Sequence, residues 1–443
     1  MEKKISIVGL GKLGLCLGAC LASKGIKITG IDNDKKCVDA IKSGRPLVEE
    51  PGLLPLLKRV RPQLDISSDY AQAIQNTDIT LLVLPTPSLG NGEFDNRYLK
   101  TTLTTLASHL KSSDKAYHTF VIVSTVSPGS IDGQLIPLIE KYSRRNLNSG
   151  FGVCYNPAFV ALGSVIRDFM GPDLDLVGQS SEKTGSILID FKKGLYNKAP
   201  YCARMSIASA EITKISLNSY ITMKISFINT LADICLKIPQ ANIDHIATAL
   251  GHDKRISPYY LKAGLSFGGP CFPRDNRAFA AFAKKNKIRP LLAQATDKIN
   301  NDHTARIVKE IFKNLPAGCD TVSVVGLSYK PRTTVLEGST GITIVKSCLA
   351  RHLKVVVYDI QAMPLVRELF GNKIRYASCL AQCLDASHCW VFTSDSPSYN
   401  VVHQRPIKKP TTIIDCWGST RLPVSGKIKY IVPINPKKNK GVF

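Results

Sequence analysis

Short apolar and β-branched runs alternate with stretches of helical period through the first part of the chain, as expected of βαβ units on a parallel sheet. The runs 4–8, 26–31, 79–84, 120–124 and 153–155 predict strands, and 13–23 and 99–110 predict helices between them. From Ile207 to Leu236 the pattern becomes one long helix, with apolar residues three and four apart and no Pro or Gly before Pro239. More helical sequence runs to about Asn314, broken by the Gly/Pro-rich stretch Gly264 to Pro273. A loop of that kind inside a helical region is a site candidate. Alternation resumes after Pro316, with predicted strands at 321–325, 354–358, 388–392 and 412–415. The fold class read from this pattern is α/β: two Rossmann-like doubly wound domains, 1–200 and 313–443, joined by a helical central domain, 201–312.

Composition changes this picture little. The 443 residues are 44% hydrophobic and 21% charged, an ordinary globular balance for a chain of two or three domains. No apolar run is long enough for a membrane span, and the short apolar stretch after Met1 reads as a first strand rather than a signal peptide. Thirteen cysteines lie scattered without CxxC spacing, which points to a reducing, cytoplasmic compartment and to no metal site. The net charge of +24 favours phosphate-bearing ligands. Its dispersal argues against nucleic acid as the principal partner. The one dense cluster, Lys437, Lys438 and Lys440, reads as a solvated tail.

The first predicted strand runs into Gly9-Leu10-Gly11-Lys12-Leu13-Gly14, which opens a helix. In that context the glycines allow a tight turn and close approach to a pyrophosphate on unpaired helix N–H groups. Asp32, eighteen residues after Gly14 and at the end of the next strand, can accept the ribose hydroxyls and would repel a 2′-phosphate, so NAD is favoured over NADP. The alternative is that the glycines only serve packing.

Phe267-Gly-Gly-Pro-Cys-Phe-Pro-Arg-Asp275 carries the candidate chemistry. The glycines permit close backbone approach, the prolines stiffen the loop, and Cys271 is presented beside Arg274 and Asp275. A nearby positive charge favours the nucleophilic thiolate. Most cysteines in a chain with thirteen are structural; this loop sets Cys271 apart.

With these motifs stand PLVEEPGL (Pro46 to Leu53), LPTP (Leu84 to Pro87, holding Thr86 and Pro87), STVSPGS (Ser124 to Ser130), YNPAF (Tyr155 to Phe159), AEITKISLNSY (Ala210 to Tyr220) and GLSYKP (Gly326 to Pro331). In this order they resemble the nucleotide-sugar (UDP-glucose/GDP-mannose) dehydrogenase family over nearly the whole chain, and the FGGPCFPRD loop is similar to its UDP-glucose group. The resemblance implies a homodimer and a four-electron, NAD-dependent oxidation of a sugar C6 alcohol to a carboxylate. The thiol of Cys271 would hold the aldehyde as a thiohemiacetal and then a thioester.

Carried over, Lys214 and Asn218 match the pair that stabilises the oxyanion, Asp275 a base or water-orienting carboxylate, and Thr125 the hydroxyl that positions water. Taken without the resemblance, Lys214 reads as a solvated helix face. Ser124, Thr125, Thr86, Pro87 and Arg274 match cofactor contacts. Phe159, Arg255, Lys262, Gly264, Phe267, Gly268 and Lys330 match nucleotide-sugar contacts, with Tyr259 or Tyr260 against the base.

Three positions depart from the family wording. Ala158 stands where the family shows glutamate, Leu162 where a second acid is common, and Glu337 where many relatives carry arginine. A methyl group cannot accept a proton, so the hydrolytic half of the reaction is affected. Three accounts are open: Asp275 with Thr125 suffices at reduced rate, the thioester is resolved differently, or this copy is impaired. The rival readings are the same chemistry on GDP-mannose or a UDP-N-acetylhexosamine, and a nucleotide-sugar-binding protein without turnover.

Overall fold

The computed structural model describes residues 4–404, 407, 409–420, 427–435, 438 and 440–442. The chain folds as two compact units, Met1–Ser216 and Leu217–Phe443. In the first, β1 (Ile5–Val8), β2 (Ile28–Ile31), β3 (Leu64–Ser67), β4 (Ile79–Leu82), β5 (His118–Ile122), β6 (Phe151–Tyr155), β7 (Leu174–Gln179) and β8 (Tyr201–Ser206) form one sheet in the order 3-2-1-4-5-6-7-8. Every pair is parallel except β6 with β7. The order reverses between β1 and β4, which opens a crevice at the carboxyl end of β1, where doubly wound sheets bind ligands. Apolar layers cover both faces, one including Leu15, Ala19 and Val177 and the other Leu99, Leu103 and Leu106.

The second unit repeats the plan. Its strands β9 (Thr321–Val325), β10 (Lys354–Tyr358), β11 (Arg375–Tyr376), β12 (Cys389–Phe392), β13 (Thr411–Asp415), β14 (Ile428–Ile431) and β15 (Lys440–Val442) lie in the order 11-10-9-12-13-14-15. All pairs are parallel except β14 with β15. Sequence comparison of the two halves finds no second glycine triplet, yet the turn recurs in backbone geometry. Gly326 after β9 has φ +90°, as Gly9 after β1 has +95°. Asp359 after β10 accepts the Leu327 and Ser328 N–H groups at 2.7 and 3.1 Å, as Asp32 accepts that of Leu10 at 2.7 Å.

The long helix spans Ile207–Cys235, and its C-terminal residues Ile228 and Ala232 share one core with Ile307 and Ile311 of the helix Leu291–Lys313 and with the second sheet. The central helices therefore pack with the second sheet as one body rather than forming a separate core.

Two differences from the sequence reading have plain causes. Strands β3, β8 and β11 are short edge strands with polar or exposed residues, and β7 is interrupted by Asp175, so none presents an apolar run. The terminal lysines are not simply a solvated tail. Lys440 begins β15, which pairs with β14, and Lys438 Nζ lies 2.7 Å from Asp244, while Lys437 lies outside the described residues. No helix among the described residues is long and apolar enough to cross a membrane.

Candidate active site

In the first unit the glycine turn has the shape a dinucleotide needs. A Cβ on Gly14 would stand 1.8 Å from the Gly9 carbonyl oxygen, and one on Gly9 would stand 2.3 Å from that of Val83, so both glycines are fixed by backbone packing. Gly11, at the N-terminus of the helix Lys12–Ala22, faces open space, with nothing within 4 Å of an added Cβ. That cradle of open helix N–H groups fits a pyrophosphate. Asp32 is oriented by the N–H groups of Leu10 (2.7 Å) and Asp34 (3.0 Å), and a carboxylate so held retains lone pairs for ribose hydroxyls.

The neighbouring loops are tied together. The Leu84 N–H donates to Ser124 Oγ, which donates back to the Leu84 carbonyl, both at 2.8 Å, and Thr86 Oγ1 donates to the Thr125 carbonyl at 2.7 Å. These hydroxyls therefore set the loop's shape, whereas the Thr125 side chain is half-buried beside them. Sequence reasoning missed Glu211. Fully buried on the long helix, it accepts the N–H groups of Gly129 (2.6 Å) and Ile131 (3.0 Å), anchoring the end of the STVSPGS segment.

Burial pushes the Glu211 carboxyl up from the ordinary 4.5 to about 7, against the backbone N–H groups that favour its charge. Between those values the folded protein keeps a proton that the unfolded chain has released, so this group removes stability as pH rises through the window. Glu211→Gln should flatten that dependence. Relative to the variant, wild type is expected to lose about 3 kcal/mol between about pH 5 and about pH 7.5 in denaturant titrations; equal losses in both proteins would remove this account.

Lys214 is not on a solvated face. It is 7% exposed, its Nζ donates to the Ala158 carbonyl at 2.7 Å, and it stands 4.3 Å above the Phe159 ring. The segment it touches is held by a trio, built on buried Asp175, that the sequence did not reveal. Asn156 donates to Asp175 at 2.9 Å, and Lys192 bridges Asn156 at 2.8 Å and Asp175 at 2.5 Å. Desolvation lowers the Lys192 pKa, with Asp175 acting in the opposite direction.

In the second unit Cys271 is exposed and immediately precedes the helix Phe272–Lys285, whose N-terminus carries partial positive charge. Burial pushes the thiols of Cys16, Cys20 and Cys154 up to about 12, so those are inert packing residues. Asp275 lies one turn beyond Cys271 and is 1% exposed. Its carboxylate accepts from Asn218 Nδ2 at 2.6 Å and pairs with Arg274 Nε at 3.1 Å. Asn218, Arg274 and Asp275 are thus brought together one helical turn beyond Cys271, whose carbonyl accepts the Asp275 N–H at 2.8 Å. Asn218 follows Lys214 by one helical turn, the spacing that puts two side chains on one face.

The Cys271 loop packs on the GLSYKP region of the same unit. The Gly269 N–H donates to the Glu337 carbonyl at 2.8 Å, a Cβ on Gly268 would stand 2.2 Å from the Gly338 oxygen, and Tyr329 covers Gly269. The contribution of Glu337 to this contact comes from its backbone carbonyl. Lys330 follows in that loop, 5.5 Å from the Tyr329 ring. Lys262 stands 5.4 Å over Trp417 and 3.4 Å from Asp395, and Trp417 covers Gly264 so closely that a Cβ would stand 2.0 Å from its ring. Tyr260 meets Phe272 edge-on at 6.1 Å, while Tyr259 and the Arg255 side chain are exposed, Arg255 pairing with Asp253 at 2.6 Å. Trp417, Tyr329 and Gly338 were not legible as site residues; the paired glycines at 268 and 269 were the only signal that another backbone comes close.

Comparison with known proteins covers both units. Residues 3–199 match the NAD binding domain of the UDP-glucose/GDP-mannose dehydrogenase family, 208–302 its central domain and 323–421 its UDP binding domain. The chain is 32% identical to the UDP-glucose 6-dehydrogenase AglM of Haloferax volcanii over 86% of its own length and 88% of the relative's. It is 30% identical to the UDP-glucose 6-dehydrogenase TuaD of Bacillus subtilis over 93% and 88%. Among solved structures, a UDP-glucose dehydrogenase from the archaeon Pyrobaculum islandicum superposes with a TM-score of 0.86 at 27% identity, covering 96% of this chain and 98% of that one. Dinucleotide turn, Cys271 loop and all three matched domains agree: this chain belongs to the UDP-glucose/GDP-mannose dehydrogenase family.

Proposed function

We propose that the protein oxidises the C6 hydroxymethyl group of UDP-glucose to the carboxylate of UDP-glucuronate, in the cytoplasm and as a homodimer. The observation that carries this reading is the exposed thiol of Cys271 at a helix head, one turn before buried Asp275, which Asn218 and Arg274 hold. NAD supplies the hydride acceptor in each of two oxidation steps. Lys214 and Asn218 stabilise the negative charge that develops on the reacting oxygen. The Cys271 sulfur adds to the aldehyde carbon, so that loss of the second hydride leaves a thioester. Water, oriented by Asp275 and Thr125, cleaves it and restores the thiol. The balance is one alcohol, one water and two NAD giving one carboxylate, two NADH and three protons. The domain roles follow the sequence boundaries, with 1–200 holding NAD, 201–312 the nucleophile and dimer seam, and 313–443 the nucleotide.

Ala158 leaves the water step without the family's glutamate, so hydrolysis limits turnover. Purified protein should reduce two NAD per UDP-glucose, faster than with GDP-mannose or a UDP-N-acetylhexosamine. Ala158→Glu should raise the steady rate by roughly tenfold or more. A flat NADH trace with every sugar, alongside UDP-glucose binding, would instead identify a binding protein. An unchanged Ala158→Glu rate would remove hydrolysis as the slow step.

The homodimer rests on the long helix, where Tyr220, Phe227 and Ile234 recur every seven residues and are 59%, 53% and 49% exposed. Light scattering should give twice the 48.4 kDa chain mass, falling to one chain mass in Phe227→Asp; a monomeric wild type would refute the dimer.

A further inference from the structure

We propose that Asn300 is a positioning residue for the nucleophile, holding the Cys271 loop by gripping the backbone of Phe267. Its side chain engages both polar groups of that one residue, Oδ1 accepting the Phe267 N–H at 2.9 Å and Nδ2 donating to the Phe267 carbonyl at 3.0 Å. One amide here does what a neighbouring strand does in a sheet, and it does so where the loop has no strand beside it. The grip is reinforced on its upstream side, since Ser266 Oγ donates to the Asn300 carbonyl at 2.8 Å and receives a hydrogen bond from Thr304 Oγ1 at 2.6 Å.

From Phe267 the constraint reaches the thiol through two contacts. The Phe267 side chain is 8% exposed, and its ring meets that of Phe272 edge-on at 6.5 Å. Phe272 is bonded directly to Cys271 and opens the helix beneath it. Downstream, the Gly269 N–H is fixed on the Glu337 carbonyl. The two glycines between Phe267 and the Pro-Cys pair would swing freely if only one side were held; Asn300 fixes the other. Asn300 itself belongs to a helix whose buried face is made by Ala293, Thr296, His303, Ile307 and Ile311, so that helix has its own reason to fold without the amide. The role therefore concerns the loop's geometry and the reactivity it gives to the thiol. It rests on the reading of Cys271 as nucleophile.

The test compares full-length wild type, Asn300→Ala and Asn300→Asp. Iodoacetamide alkylation of the Cys271 peptide is followed by mass spectrometry, with the exposed Cys202 and Cys379 as internal references. In folded Asn300→Ala, Cys271 is expected to react at least about five-fold more slowly while the references react as before, because a released loop no longer holds the sulfur at the helix head. The kcat should fall about tenfold or more with the KM for NAD unchanged, a split that general loosening of the fold would not give. Asn300→Asp keeps the acceptor and loses the donor, and should fall between; if Asn300→Ala does not fold, Asn300→Asp is judged by the same criteria. Alkylation of Cys271 that is unchanged or faster in a folded variant overturns the proposal. The alkylation comparison needs no turnover, so a wild type inactive on every nucleotide sugar would sink the proposed function while leaving the clamp to be judged separately.

Discussion

Cys271→Ala is expected to reduce formation of UDP-glucuronate by about four orders of magnitude, the scale seen when a covalent nucleophile is deleted, while leaving UDP-glucose affinity within a few-fold. The expectation follows from what the sulfur is asked to do. Without it the aldehyde formed by the first hydride transfer has no covalent anchor, and the second oxidation lacks its hydride donor. Fold stability should barely change, because Cys271 is exposed and the helix it precedes is anchored by buried Asp275, Asn276 and Ala278. NADH yield per sugar, with product identified by chromatography, checks the prediction. Wild-type yields from the alanine variant would mean that the chemistry lies elsewhere.

The second large effect concerns the coenzyme, and two neighbouring glycines separate packing from binding. Gly14→Ala forces a methyl group to within 1.8 Å of the Gly9 carbonyl, a backbone atom that cannot move without opening the turn. Both stability and NAD affinity should fall, the first by more than the roughly 1–3 kcal/mol typical of overpacking. Gly11→Ala meets nothing within 4 Å in the protein alone. It should melt like wild type yet bind NAD about a hundredfold more weakly, because its methyl group occupies the cradle where the pyrophosphate approaches. Calorimetric titration with NAD and a thermal melt on each variant decide this. A Gly11→Ala protein with normal NAD affinity would place the pyrophosphate elsewhere.

Where apolar periodicity was strong, the chain was legible. The long helix ends at Cys235, one residue before its predicted end at Leu236, and β9 and β10 occupy their predicted spans. The edge strands were not legible, because their exposed or polar residues carry no period-two signal. In the candidate site, the residues that make chemistry possible sit in dense local motifs, so Cys271, Arg274 and Asp275 stood out together. The residues that hold backbone segments from a distance do not. Asn300 meets Phe267 across 33 positions of sequence, and Glu211 reaches Gly129 across 82. Each is a single polar residue on a helix, and nothing in its own neighbourhood distinguishes a buried grip on another segment's backbone from a solvated side chain. The burial of Lys214 was hidden in the same way, since its partner is the carbonyl of Ala158 and a carbonyl leaves no mark in a sequence.

Ala158 lines a partly open, largely apolar pocket of about 80 Å³ together with Phe159 and Leu188. In the reaction proposed above, a methyl group in place of the family's glutamate removes a proton acceptor from the water step. The acyl-enzyme should accordingly persist longer than either hydride step takes.

Rapid mixing with UDP-glucose and excess NAD, acid quenching, and mass analysis of the peptide bearing residue 271 tests the covalent route most directly. An adduct of UDP-glucuronate mass less water should rise within the first turnover and decay at the steady rate of NADH formation. Continuous production of two NADH per sugar, with that peptide carrying a bare thiol at every quench time, would contradict the account.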